Sequence, residues 1–218
     1  MLRSLRNDAM QRPPFQLCLL LTRDLCRLDP LTVVREAVAG GVDCVQLREK
    51  EMSTAARHAW SLQLMDTCLE LRVPLIVNDD VEVAAAIGAR GVHLGQDDLP
   101  VHEARKLLQP EQWIGLSTHS LEQLEAAADQ GVNYAGYGPI YPTGTKGYEH
   151  GLGPESVLHV LLHARVPVVA IGGITPANAG HIPEQAALAA SSVICAAESP
   201  REVATALRAR GPVDVPRY

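Results

Sequence analysis

Two acidic residues, Asp79 and Asp98, close the two halves of the segment LIVNDDVEVAAAIGARGVHLGQDDLP (75–100). Two carboxylates at one rim, with Asn78 and Gln96 as neutral oxygen donors, suit a hard Mg²⁺ that keeps several waters and takes the rest of its shell from substrate phosphates. The plainer alternative makes Asp79 and Asp80 helix N-caps and Asp97–Asp98 a solvated turn. What decides between them is the framework. LIVN after Pro74 reads as a buried strand, DDVEVAAAIGAR as a short helix with an acidic start, and GVHL as a second strand. Such βαβ crossovers are right-handed almost without exception, so the strands should lie parallel, about 4.8 Å apart, with both carboxyl ends on one face. Asp79 and Asp98 are therefore expected to meet.

The same reading applied to every strand end gives a chemical inventory. Gln46, Arg48 and Lys50 follow a second strand, Asn78 and Asp79 a third, and His93, Gln96 and Asp98 a fourth. Ser117 and His119 follow a fifth, Thr143, Thr145 and Lys146 a sixth, Gly172–Gly173 a seventh, and Ile194–Cys195 an eighth. Taken singly, the REK triplet is a solvated face, His93 a packed histidine, His119 a structural one and TGTK a loop. Taken together, three cations facing two acids with hydroxyls between them suit a multiply charged phosphate chelated to Mg²⁺, with pyrophosphate the natural fit. AIGGITP adds a second anionic site, because glycines at a strand end leave backbone N–H groups open to a phosphate. Two such sites imply two substrates.

The elements that position these residues alternate along the chain. Strand candidates lie near 15–21, 43–47, 74–78, 91–94, 113–117, 134–138, 167–171 and 192–195, separated by helical stretches such as LTVVREAVAGG and LEQLEAAADQG. Eight strand–helix units predict an α/β chain closed as a single (β/α)₈ TIM barrel, spanning 15–218 behind a polar lead-in at 1–14. An open doubly wound sheet fits less well, since no GxGxxG follows the first strand. The 218 residues are 47% apolar, enough for a large core. A net charge of −6 with 4% aromatics argues against a nucleic-acid surface, so the ligands should be small molecules. Apolar runs are only strand-sized, which argues against a membrane span. The five cysteines lack ligand spacing and read as reduced, mostly buried small hydrophobes, consistent with a cytoplasmic protein.

The motifs VQLREK (45–50), LIVNDD (75–80), GVHLGQDDLP (91–100), IGLSTHS (114–120), GYGPIYPTGTK (136–146) and VVAIGGITPANA (168–179) together resemble the thiamine-phosphate synthase family, over nearly the whole chain from Phe15. The resemblance implies a (β/α)₈ transferase of thiamine biosynthesis. It would join 4-amino-5-hydroxymethyl-2-methylpyrimidine pyrophosphate to 4-methyl-5-(2-phosphooxyethyl)thiazole and release pyrophosphate, with Mg²⁺ as cofactor. By motif position, Asp79 and Asp98 look like metal ligands, and Arg48, Lys50, Asn78, Ser117 and Lys146 like the pyrophosphate grip. Gln46 and His93 would border the pyrimidine. Thr143 and Thr145 would meet the thiazole substrate, whose phosphate would rest on Gly173 and the Ile194–Cys195 backbone. One region departs from the family pattern: HIPEQAALAASSVICAAESP (181–200) has no glycine, and Cys195 is read as standing where the family has Ser. The rival readings are a thiazole tautomerase on the same barrel and a non-catalytic thiazole-phosphate binding protein. The resemblance is compatible with a homo-oligomer.

Overall fold

The computed structural model of the chain describes residues 13–143 and 150–210. Among them, eight parallel strands close into a barrel in sequence order: β1 Leu17–Leu21, β2 Cys44–Leu47, β3 Leu75–Asn78, β4 Gly91–Leu94, β5 Trp113–Thr118, β6 Tyr134–Tyr137, β7 Val168–Ile171 and β8 Ala187–Ala190. The helices are α1 Pro30–Ala39, α2 Thr54–Leu71, α3 Val81–Ala86, α4 Val101–Leu107, α5 Leu121–Asp129, α6 Pro154–His163, α7 Ser192–Cys195 and α8 Pro200–Ala209. Several begin where the sequence supplies a cap. Asp29, Ser53, Asp80 and Ser120 accept from Thr32 N, Ala56 N, Val83 N and Gln123 N, satisfying amides that a helix start leaves unpaired.

Strand residues are buried on both faces, which is why the strands read as continuous apolar runs. Leu17, Leu19 and Leu21 of β1 point outward and pack with the helices, in a cluster that includes Val33, Leu64 and Leu207. Cys18 and Leu20 point inward, into a smaller lumen cluster with Phe15, Cys44, Ile76, Tyr134, Val169, Ala187 and Ala189. Neighbouring register pairs carry the inward rows around the barrel: Leu20↔Gln46, Gln46↔Ile76, His93↔Gly115, Ser117↔Gly136 and Ile171↔Ala189. The row nearest the carboxyl ends is thus polar on one side of the lumen and small on the other.

Seven strands lie where the sequence puts them, and the eighth does not. It is Ala187–Ala190, and the expected strand at 192–195 is instead the short helix α7. The barrel closes through Leu17↔Leu188 and Cys18↔Ala189. Alanine carries little strand preference of its own, whereas Val193–Ile194 carries much; packing in a narrow lumen overrides both. The amides of Ile194 and Cys195 bond the Ser191 carbonyl at 2.9 and 3.0 Å, and both side chains are fully buried. Ser191–Ser192 is the pair that follows the strand, so Cys195 does not take the place of a strand-end serine.

All five cysteines are free, and only Cys26 is not buried. Among the described residues no helix is long and apolar enough to cross a membrane.

Candidate active site

The carboxyl ends of β2, β3 and β4 assemble the charged rim. Asp79 continues the β3 ladder by donating its amide to His93 O at 2.8 Å, and then turns left-handed at φ 65°. A non-glycine residue there is uncommon, and Asp is among the types that tolerate it. The turn sets the carboxyl against Asp98. Asp98 in turn is fixed by Gly95 N, which donates to its Oδ2 at 2.6 Å. Burial, then a hydrogen bond with Asp98 and its negative charge, pushes the Asp79 carboxyl up to about 6, while Lys50 and Arg48 pull the other way. Two acids and two bases therefore share one small volume. Asp80, by contrast, is the N-cap of α3 and the ion-pair partner of Arg57 at 2.6 Å, so the capping role falls on the neighbour and leaves Asp79 for the site.

These residues fit a hard divalent cation. Among the described residues no group of three or more His, Cys, Asp or Glu side chains is placed to hold a metal; the carboxylates that meet at this rim and could hold one are Asp79 and Asp98. An ion that completes its shell from water and phosphate oxygens, as Mg²⁺ does, matches that donor set; zinc does not.

Below this rim a cavity of about 420 Å³ runs into the lumen, lined by Gln46, Arg48, Asn78, His93, Ser117 and Tyr134 among others. His93 is held on both ring nitrogens: Nε2 to Ser117 Oγ at 2.9 Å and Nδ1 to the Tyr134 hydroxyl at 3.1 Å. Burial pushes the Tyr134 phenol far up, so it stays protonated. The arrangement depends on Gly115, since a Cβ there would lie 2.6 Å from His93 Nδ1 and would overlap the Tyr134 ring. Gln96 donates through Nε2 to Ser117 O, tying the fourth loop to the fifth strand.

A larger cleft of about 810 Å³ opens beside it, over the ends of β5 to β8. It is lined by Thr118 and His119, by Thr143, by Gly172 to Thr175, and by Ala189 to Val193. His119 is fixed through Nδ1 to Gly138 O and through its amide to Gln123. Gly173 has φ +63°, and a Cβ would meet Pro142 O at 2.6 Å, so the loop can close in this form only with glycine. Leu20, Arg48, Ser117, Gly136, Ile171 and Ala189 line both cavities, which makes them one continuous site with a common wall.

Of the residues expected from sequence, Gln46, Arg48, Asn78, His93, Ser117, Thr143 and Gly173 line these cavities, and Asp79, Asp98 and Lys50 form the charged rim beside them. Thr145 and Lys146 lie outside the described residues. Ile194 and Cys195 line neither cavity. Sequence reading missed Ser191, Ser192 and Val193 because it set the strand five residues late, and it missed Tyr134 because an inward strand aromatic looks like any core residue.

Comparison with known proteins agrees with this geometry. A family model described as thiamine monophosphate synthase matches residues 17–195. A thiamine-phosphate synthase of Albidiferax ferrireducens is 45% identical over 181 residues, covering 81% of this chain and 82% of that one. Another, from Azorhizobium caulinodans, is 43% identical over 201 residues, 89% of this chain and 95% of its own. Among solved structures, thiamine phosphate pyrophosphorylase from Pyrococcus furiosus superposes with a TM-score of 0.81 at 31% identity, covering 95% and 97% of the two chains.

Proposed function

Since the chain belongs to the thiamine monophosphate synthase family and is a transferase that joins a pyrimidine pyrophosphate to a thiazole phosphate, we propose that the two cavities divide the work. The lumen cavity holds the aminopyrimidine between Gln46 and the His93–Ser117 pair, and its pyrophosphate reaches the rim at Asp79, Asp98, Arg48 and Lys50. The larger cleft holds the thiazole, with its phosphate against Gly172–Gly173 and Ser191–Val193, where a glycine turn and the start of α7 meet. Lys146, Thr143 and Thr145 complete the two grips.

The chemistry needs little proton transfer. A pyrophosphate on the methylene of an electron-rich aminopyrimidine leaves as the ring delocalises the positive charge, and the thiazole nitrogen then attacks the methylene carbon. Mg²⁺ held by Asp79 and Asp98 would supply charge neutralisation to the leaving group. Arg48 and Lys50 add fixed positive charge where negative charge develops, the effect that usually contributes most to catalysis. Asn78 and Ser117 orient the leaving group by hydrogen bonds, and the shared wall keeps the methylene carbon and the thiazole nitrogen within attack distance.

The observation that carries this reading is the contact of Asp79 with Asp98 beside Arg48 and Lys50, at the mouth of two joined cavities. Turnover with both substrates, followed by pyrophosphate release with and without Mg²⁺, tests it. Release that depends on both substrates and on the metal is expected. Isomerisation of a thiazole with no pyrophosphate released would replace this reading with the tautomerase one.

A further inference from the structure

Arg57, in the first turn of α2, lines neither cavity and yet touches three parts of the charged rim's framework. Its Nε donates to Glu49 O at 3.2 Å, its Nη2 to Met52 O at 2.9 Å and its Nη1 to Asp80 Oδ2 at 2.6 Å. The two carbonyls bracket Lys50. The carboxylate belongs to the residue that follows Asp79, and its other oxygen caps α3 through Val83 N at 3.0 Å. Both side chains of the pair are largely withdrawn from water, 17% and 12% exposed, so the contact is not a solvated surface pair.

We propose that Arg57 is a positioning residue for the pyrophosphate half of the reaction, holding Lys50 and Asp79 in mutual register. The inference rests on the reading above that these two residues face the pyrophosphate and its metal. The rest of the second loop is anchored from the opposite side: Thr22 Oγ1 donates to Arg48 O at 2.9 Å, and Arg23 N to Glu49 Oε1 at 2.7 Å. Arg57 supplies the remaining anchors, and it alone of these groups reaches across to the β3 loop. Three separate nitrogens of a planar guanidinium serve three acceptors in different directions, a task for which a lysine ammonium is too compact. With the fork removed, Lys50 and Asp79 become free to move independently, and a charge clamp loses its pre-set spacing.

The test compares wild type with Arg57→Lys, Arg57→Ala and Asp80→Asn. Asp80→Asn keeps an oxygen for the α3 cap while removing the charge. Calorimetry with magnesium pyrophosphate, steady-state KM for each substrate, and Tm are measured on each protein. Arg57→Lys and Asp80→Asn should weaken magnesium pyrophosphate binding by about tenfold or more, the usual effect of losing a group that orients a ligand. KM for the pyrimidine substrate should rise in step, while KM for thiazole phosphate stays within about twofold, a split that simple loss of stability cannot produce. Should Arg57→Ala fail to fold, the other two variants still give the answer. Variants that bind magnesium pyrophosphate as wild type does, or that weaken both substrates equally, would overturn the role of Arg57 and leave the site reading standing. A wild-type protein that binds no magnesium pyrophosphate would bring down both.

Discussion

Asp79 combines an uncommon backbone conformation with a carboxyl that meets another carboxyl, and the two properties can be separated by mutation. Asn is also tolerated at positive φ, so Asp79→Asn should keep the turn and remove only the charge. The Mg²⁺ concentration for half-maximal turnover is expected to rise about tenfold or more for Asp79→Asn and for Asp98→Asn, with Tm nearly unchanged. Wild-type turnover at limiting Mg²⁺ in either variant would remove that residue from the metal site. Lys146 belongs to the same argument from sequence: Lys146→Ala should lower kcat more than it weakens thiazole-phosphate binding, since a contact to a leaving group strengthens as charge develops. That Asp79 and Asp98 meet was legible because a strand end next to a charged residue is a local pattern. Arg57 was not, because its partner Asp80 lies 23 residues away and no periodicity connects them.

At the level of elements, the seven strands that carry leucine, β-branched or aromatic residues declared themselves and the alanine-rich β8 did not. Its inner residues, Ala187 and Ala189, register with Val169 and Ile171, and their small size is what the lumen requires on that side. With β8 at Ala187–Ala190, Cys195 has a different part to play. Its side chain lies beneath α7, 3.7 Å from Leu20 O, so Cys195→Ser should leave KM for thiazole phosphate unchanged and show its effect in Tm instead. Gly173→Ala should do the reverse. The added methyl meets Pro142 O and Tyr141 at a positive φ, so the glycine turn must move, and KM for thiazole phosphate should rise with little change in magnesium pyrophosphate binding. Equal effects on both ligands would place the phosphate elsewhere.

For the molecule as a whole, a barrel that carries its ligands on one rim should gain stability when that rim is filled. At a magnesium pyrophosphate concentration of 100 times Kd, the gain is about 2.7 kcal/mol, or roughly 5–10 °C in Tm for a chain of this size. Pyrophosphate alone, without the metal, should give much less; an equal shift would argue against a metal bridge. The fold class was readable from the repeat of strand and helix, whereas the joining of two cavities into one site was not, since the common wall takes Leu20, Ser117, Gly136, Ile171 and Ala189 from five strands and Arg48 from the loop after β2. That common wall has a consequence for traffic. The smaller cavity reaches down to Phe15, Cys18 and Tyr134, while the larger one spans the β5–β8 rim above the wall they share. On the proposed division of the cavities, a thiazole phosphate in the larger cleft stands beside the mouth of the deeper one, so the deep occupant is expected to load first. Labelled pyrimidine pyrophosphate prebound to the enzyme should be captured as product when chased with unlabelled pyrimidine and excess thiazole phosphate, whereas prebound labelled thiazole phosphate should exchange out before it reacts.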